Sequence, residues 1–152
     1  MSFALKMNKF FLGLSFLLLV ACSNNDSIEN NPYLPNYTFD TGNLVNTNLP
    51  QYSILNYPGN FVILNSQYGI NGVVLYYAGA SNYTAFEITD PNHSISGCST
   101  LSVEGIIATC DCDDGNSYDI LNGVGRVGTT GSYTLKRYHV EVNGSIIRVY
   151  NN

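Results

Sequence analysis

The sequence predicts an all-β domain that follows the N-terminal segment, with antiparallel sheets joined by tight turns. Short runs rich in Val, Ile and Tyr are bounded by Gly, Asn and Pro, a pattern typical of strands and turns. After residue 22, no capped segment has the 3.6-residue apolar period of a helix, and no internal repeat is visible. Strands are predicted at residues 61–64, 72–77, 83–89, 105–110, 117–121, 138–142 and 146–150.

The last two predicted strands form the hairpin with the strongest local signal. Residues 143–144 read Asn-Gly, a preferred two-residue turn because both residues tolerate positive φ. A turn at this dipeptide sets Val140 opposite Ile147 on one face of the hairpin. It sets His139 opposite Arg148 on the other face.

The N-terminus has the pattern of an export signal. Lys6 and Lys9 precede an apolar run at residues 10–21, which at about 12 residues is too short to span a bilayer comfortably. The run ends in Leu-Val-Ala-Cys and resembles the lipobox of bacterial lipoproteins. The resemblance implies that residues 1–21 are a lipoprotein signal peptide and that Cys22 becomes the acylated N-terminus. An ordinary signal peptide cut nearby is the alternative.

The next segment is polar and predicts a flexible tether at residues 22–31. It has too little apolar surface to fold, and nine extended residues would reach roughly 30 Å. A single β domain is predicted at residues 32–152. The irregular segment at residues 31–57 is predicted to wrap the sheets as an edge strand and loops. Ser23 after the acylated Cys indicates, by analogy with lipoprotein sorting, the outer membrane of a bacterial envelope. Whether the domain faces inward or outward stays open.

The charge of the mature chain argues against a nucleic-acid partner. Without Lys6 and Lys9, four basic residues stand against eleven acidic ones, a formal charge of −7. Neutralising a phosphate backbone requires Lys and Arg in numbers. The membrane, through the lipid on Cys22, is the partner that the sequence predicts, and a protein partner in the envelope stays unidentified.

Two clusters in the second half of the chain carry the candidate chemistry. Residues 90–93 read Asp-Pro-Asn-His, and residues 110–113 read Cys-Asp-Cys-Asp. They are followed by Asn-Ser-Tyr-Asp at residues 116–119 and by the final hairpin. In order and spacing, this stretch resembles the Rieske iron–sulfur domain family from about residue 69 to residue 152. The resemblance implies Rieske-like antiparallel β-sheets with two loops that form a cluster-binding subdomain.

The family holds a [2Fe–2S] cluster through one Cys and one His from each loop. Carried over to this chain, the four ligand positions are Asp90, His93, Cys110 and Asp113. Asp90 stands where the family has Cys, and Asp113 stands where it has His. Carboxylates are harder ligands that suit Mg, Ca, Mn or Zn better than a sulfide cluster. The prediction is a Rieske-like domain with degenerate ligands and without its cluster.

The cysteines also fit the resemblance. Some high-potential Rieske proteins join their loops by a disulfide, and Cys98 and Cys112 fall at those positions. The resemblance therefore implies a Cys98–Cys112 bond, with Cys98–Cys110 as the rival pairing. Either pairing leaves one thiol free.

Two functions follow from these residues. The favoured one is a cluster-free, lipid-anchored binding or structural module of the envelope. The alternative is an electron-transfer protein that holds a [2Fe–2S] cluster or another metal through His93, Cys110 and the aspartates. The signal lacks the Arg pair that usually exports cluster proteins, which favours the first. No Ser-His-Asp arrangement, phosphate-binding glycine loop or recognisable pair of carboxylates is present in the sequence, so the chain is not expected to be an enzyme.

Overall fold

The computed structural model describes residues 31–152, and this part of the chain is all-β, as predicted. Its strands are β1 (Phe39–Asp40), β2 (Val45–Asn46), β3 (Asn60–Leu64), β4 (Val73–Gly79), β5 (Asn82–Glu87), β6 (Leu101–Glu104), β7 (Ile107–Cys110), β8 (Ser117–Asp119), β9 (His139–Asn143) and β10 (Ile146–Asn151). The helical element among these residues is a single 3₁₀ turn, Ser53–Asn56. None of the described helical segments is long and apolar enough to cross a membrane.

The strands form three antiparallel sheets. In the first, β9 pairs with β10, and the short strands β1 and β2 pair with the other edge of β10. The second sheet has the order β3–β4–β5, and the third has the order β6–β7–β8. The all-β, antiparallel fold class is therefore confirmed.

The second sheet is covered on both faces, which explains its unbroken apolar sequence. Val73 and Leu75 pack into a first core with residues of β1, β2 and β10, whereas Val74 and Tyr76 pack into a second core with residues of β6, β7 and β8. Successive side chains of a strand point to opposite faces, so both faces of β4 need apolar residues. All ten strands and both cores lie within Asn31–Asn152, which forms one compact unit.

The final hairpin turns one residue later than predicted. The observed pairs are Asn143–Ile146, Val142–Ile147, Glu141–Arg148, Val140–Val149 and His139–Tyr150. The predicted pairs of Val140 with Ile147 and of His139 with Arg148 are wrong by two residues. Gly144 is the first residue of the actual turn and has φ +58°, the conformation that favours glycine there. A shift of two residues leaves every side chain on its predicted face, because the strand period is two.

Two further differences concern the hairpin between the two loops of the site. The strand predicted at 105–110 is shorter, because Gly105 lies in the turn between β6 and β7 with φ +58°. Strand β6 was not predicted. The predicted signal peptide, Cys22 and the tether up to residue 30 lie outside the described residues.

Candidate functional site

The two predicted loops meet because β6 and β7 form a hairpin. The first loop (residues 90–99) leads into β6 and the second loop (residues 111–116) leaves β7, and Leu101 faces Cys110 across the hairpin. Both loops therefore emerge at the same end of the sheet. A disulfide joins Cys98 to Cys112 with their Cα atoms 4.9 Å apart. This confirms the pairing that the resemblance implied over the rival one and leaves Cys110 as a free, buried thiol.

Asp90 is fully buried, and its carboxylate is held by donors from both loops and from β8. The backbone N–H of Asn92 and the hydroxyl of Tyr118 each donate to Oδ1 at 2.8 Å. The side-chain amide of Asn116 donates to Oδ2 at 3.0 Å. A buried carboxylate costs free energy unless it is hydrogen-bonded, and these three donors satisfy that requirement. Burial and the nearby Asp90 raise the pKa of Tyr118, which keeps its hydroxyl a donor.

Two asparagine side chains tie this arrangement to the segment before β9. The amide of Asn92 donates to the Tyr118 hydroxyl at 2.9 Å and to the Tyr133 carbonyl at 2.8 Å, and its oxygen accepts the Tyr133 N–H at 2.9 Å. The oxygen of Asn116 accepts the backbone N–H of Thr130 at 2.8 Å and its hydroxyl at 3.0 Å. The loops are thus held by a hydrogen-bond network as well as by the disulfide.

The imidazole of His93 lies at the centre of a cluster of potential metal ligands, which are one thiol and two carboxylates. Its Nδ1 lies 2.9 Å from the Ser94 carbonyl oxygen, which only accepts, so Nδ1 carries the proton. Its Nε2 lies 3.3 Å from Cys110 Sγ, 3.3 Å from Asp114 Oδ2 and 3.7 Å from Asp90 Oδ2. The first loop therefore supplies an imidazole that faces a thiol and two carboxylates.

Cys110 is a protonated thiol in this setting. Its burial, together with the adjacent carboxylate of Asp90, raises the pKa of the thiol to about 12. The S–H group can then donate to His93 Nε2. A thiol in this form is a poor nucleophile, because the reactive species is the thiolate.

Asp113, which the resemblance implied as a ligand, does not join this group of side chains. The carboxylate of Asp114 lies there in its place. Asp113 is exposed and has φ +58°, so the backbone turns there and presents the following carboxylate to His93. Residues Asp90, His93 and Cys110 do come together, with ligand atoms that lie within 4.8 Å of one another and of an Asp114 oxygen. The signal that could have indicated Asp114 is that a second carboxylate directly follows Asp113 in the sequence.

A second buried carboxylate, which the sequence did not single out, lies at the end of β5. Glu87 is fully buried and accepts hydrogen bonds from the Tyr138 hydroxyl at 2.6 Å and the Thr89 hydroxyl at 2.7 Å. The backbone N–H groups of Ile70 and Asn71 also donate to it, at 2.7 and 3.0 Å. Glu87 thus holds the turn before β4 against β5 and the segment leading into β9.

The side chains gathered around His93 do not fit a [2Fe–2S] centre of the Rieske type. That centre needs two thiolates and two imidazoles, and these residues supply one of each. Cys112, the other nearby sulfur, is taken by the disulfide. Asp90, which the resemblance placed at a ligand position, is a hydrogen-bonded carboxylate.

Comparison with known proteins adds little to this geometry. No protein-family model matches the sequence, and no curated protein matches it. Among solved structures, the chain is similar to one from a structure described as a complex of reduced oxygenase and oxidized ferredoxin in carbazole 1,9a-dioxygenase. The two are 23% identical, and the match covers 61% of this chain and 82% of that chain with a TM-score of 0.41.

Proposed function

We propose that this protein is a lipid-anchored module of the bacterial envelope whose Rieske-like loops work without an iron–sulfur cluster. Its role is that of a binding or structural domain rather than an electron carrier. The observation that carries the proposal is the closure of the two loops by Asp90 and its donors, together with the Cys98–Cys112 disulfide.

The closure matters because a cluster normally provides the bonds that hold such loops together. Here Asp90 takes three hydrogen bonds from the first loop, the second loop and β8 while it is 0% exposed. On the chain-entropy model, the disulfide between Cys98 and Cys112 raises the free energy of unfolding by about 3 kcal/mol. The loops therefore have their own means of holding their conformation.

The chemistry of the remaining thiol supports a non-catalytic role. Cys110 and His93 lie at 3.3 Å, a distance typical of a catalytic Cys–His pair. Burial keeps the pKa of the Cys110 thiol near 12, whereas a catalytic pair needs a lowered pKa. The pair is therefore better suited to a structural role than to nucleophilic attack.

The anchoring part of the proposal rests on the N-terminal sequence. Lys6 and Lys9, the apolar run at 10–21 and Cys22 supply the elements of a lipoprotein signal. We expect the full chain to partition with the outer membrane, and a Cys22→Ala variant to lose labelling by fatty acid. A Cys22→Ala variant that is still labelled would contradict the anchor.

Iron and sulfide analysis tests the cluster-free function. The full chain, purified in detergent from a host that assembles iron–sulfur clusters, is expected to be colourless and to contain neither iron nor acid-labile sulfide in stoichiometric amounts. A red-brown protein with about two iron and two sulfide per chain would overturn the proposal and favour the electron carrier.

A further inference from the structure

We propose that His93, Cys110, Asp114 and Asp90 form a binding site for one zinc-class divalent ion, in place of a cluster. This site goes beyond the cluster-free function, because a single zinc ion carries no redox chemistry. One imidazole nitrogen, one sulfur and one oxygen from each carboxylate lie within 4.8 Å of one another. The ligand atoms come from both loops and from the end of β7.

The distances from His93 Nε2 to the other three ligand atoms are close to those of a tetrahedral site. With Zn–N and Zn–O bonds of about 2.1 Å and a Zn–S bond of about 2.3 Å, tetrahedral ligands lie about 3.4 Å apart for N and O and about 3.6 Å apart for N and S. From His93 Nε2, the observed separations are 3.3 Å to Asp114 Oδ2, 3.7 Å to Asp90 Oδ2 and 3.3 Å to Cys110 Sγ. The other three pairs of ligand atoms lie within 4.8 Å, and binding an ion would draw these atoms closer together.

The hydrogen bonds around the cluster orient the ligand atoms as metal sites do. The Ser94 carbonyl holds the proton of His93 on Nδ1 and leaves the Nε2 lone pair directed at the other three groups. A histidine that binds metal usually donates its other N–H to such an acceptor. The Asn116 amide donates to Asp90 Oδ2 at 3.0 Å and to Asp114 Oδ2 at 3.1 Å, which fixes both oxygens and leaves each a free lone pair.

The two carboxylates at the site would attract a cation. Two carboxylates meet at Asn116, and one of them, Asp90, is fully buried. Within residues 31–152, the basic group that lies within 4.0 Å of either carboxylate is His93. Buried carboxylates are retained when they are paired or when they coordinate a metal, and a divalent ion would neutralise this pair.

The kind of donors selects the kind of ion. One sulfur and one nitrogen with two carboxylate oxygens suit Zn²⁺, whereas Mg²⁺ and Ca²⁺ take six or more oxygen ligands. The side chains of His93 and Asp114 are 26% and 23% exposed, so an ion can reach the cluster from solvent.

Titration of the full chain in detergent with Zn²⁺ and with Co²⁺ as its spectroscopic substitute tests the site. We expect one ion per chain, with a near-ultraviolet thiolate-to-Co²⁺ absorption band, because the bound ion displaces the Cys110 proton to solvent. Cys110→Ser should abolish that band, and His93→Gln and Asp114→Asn should each weaken binding at least about 10-fold. Asp113→Asn is the matched control, since it removes the same charge from the same loop at an exposed position outside the cluster, and it should bind as the wild type does.

Three results would overturn the site. They are no binding at micromolar metal, binding without the thiolate band, and binding that Asp113→Asn weakens as much as Asp114→Asn. Because His93 and Asp114 are partly exposed, their variants keep the test valid even if Cys110→Ser does not fold. Iron and sulfide in the purified protein would refute the cluster-free function, whereas a failed Zn²⁺ titration would refute the zinc site alone.

Discussion

Replacing Asn116 with Ala is expected to destabilise the domain more than any exposed Asn→Ala change. The Asn116 side chain is fully buried and makes four hydrogen bonds, two to the carboxylates of Asp90 and Asp114 and two from Thr130. Alanine removes all four. Thr130 is exposed and Asp114 is partly exposed, so water can replace those partners, but Asp90 Oδ2 is buried and loses its donor.

The expected loss of unfolding free energy is dominated by the buried bond to Asp90. A hydrogen bond to a buried charged group contributes about 1.5–3 kcal/mol, and each of the three replaceable bonds contributes about 0.5 kcal/mol, for a total of about 3–4.5 kcal/mol. Urea unfolding of residues 31–152, which contain both cores, measures it, with the exposed Asn48→Ala as the matched control expected to change stability by less than about 0.5 kcal/mol. An Asn116→Ala loss no larger than that of Asn48→Ala would refute the reasoning about the network.

Three other predictions concern the rest of the domain. Reducing the disulfide between the two loops, whose cysteines are 14 residues apart, should lower the free energy of unfolding by about 3 kcal/mol. Urea titrations with and without reductant measure this loss, and an unchanged unfolding midpoint would contradict it. Glu87→Gln should lower the free energy of unfolding by about 2–4 kcal/mol, because an amide offers one acceptor oxygen to four donors. The exposed Glu104→Gln should change it very little, and equal losses for the two variants would contradict the reasoning. The hydrogen bonds from Arg148 lower the pKa of Asp40 from 3.8 to about 2, so the ion pair stabilises the fold above about pH 4 and this contribution is lost as pH falls toward 2. An NMR titration of the Asp40 carboxyl should show this midpoint and its rise in Arg148→Gln, and a wild-type midpoint near 3.8 would be inconsistent with the pair.

Most of the long strands could be predicted because their signals are local. Strands β3, β4, β5, β9 and β10 are runs of β-branched and aromatic residues next to turn residues, and the structure has each of them. Strands β1 and β2 have two residues each and exist because β10 offers its free edge, a long-range effect that a local pattern does not contain. The turn of the last hairpin was misplaced because Asn143-Gly144 and Gly144-Ser145 are both acceptable turns.

The candidate site could be predicted only as far as the resemblance extended. It gave the two loops and the Cys98–Cys112 bond, both of which the structure contains. It did not give Asp114 in place of Asp113, because that exchange follows from the positive φ of Asp113. The hydrogen bonds from Asn116 and Tyr118 to Asp90 could not be predicted, because these residues are far apart in the sequence. Only the packing of the third sheet brings them together.

Hydrogen exchange in metal-free protein tests most directly whether the loops hold themselves together. The measurement follows the backbone amides of Asn92, Asn116 and Thr130, which donate to side-chain oxygens within the site, after treatment with chelator and with the disulfide intact. If the disulfide and the Asp90 network hold the loops, these amides should remain protected from exchange, as amides in the strands do. Exchange at the rate of an unfolded chain, with the strands still protected, would show that the loops need a bound cluster or ion to keep their structure.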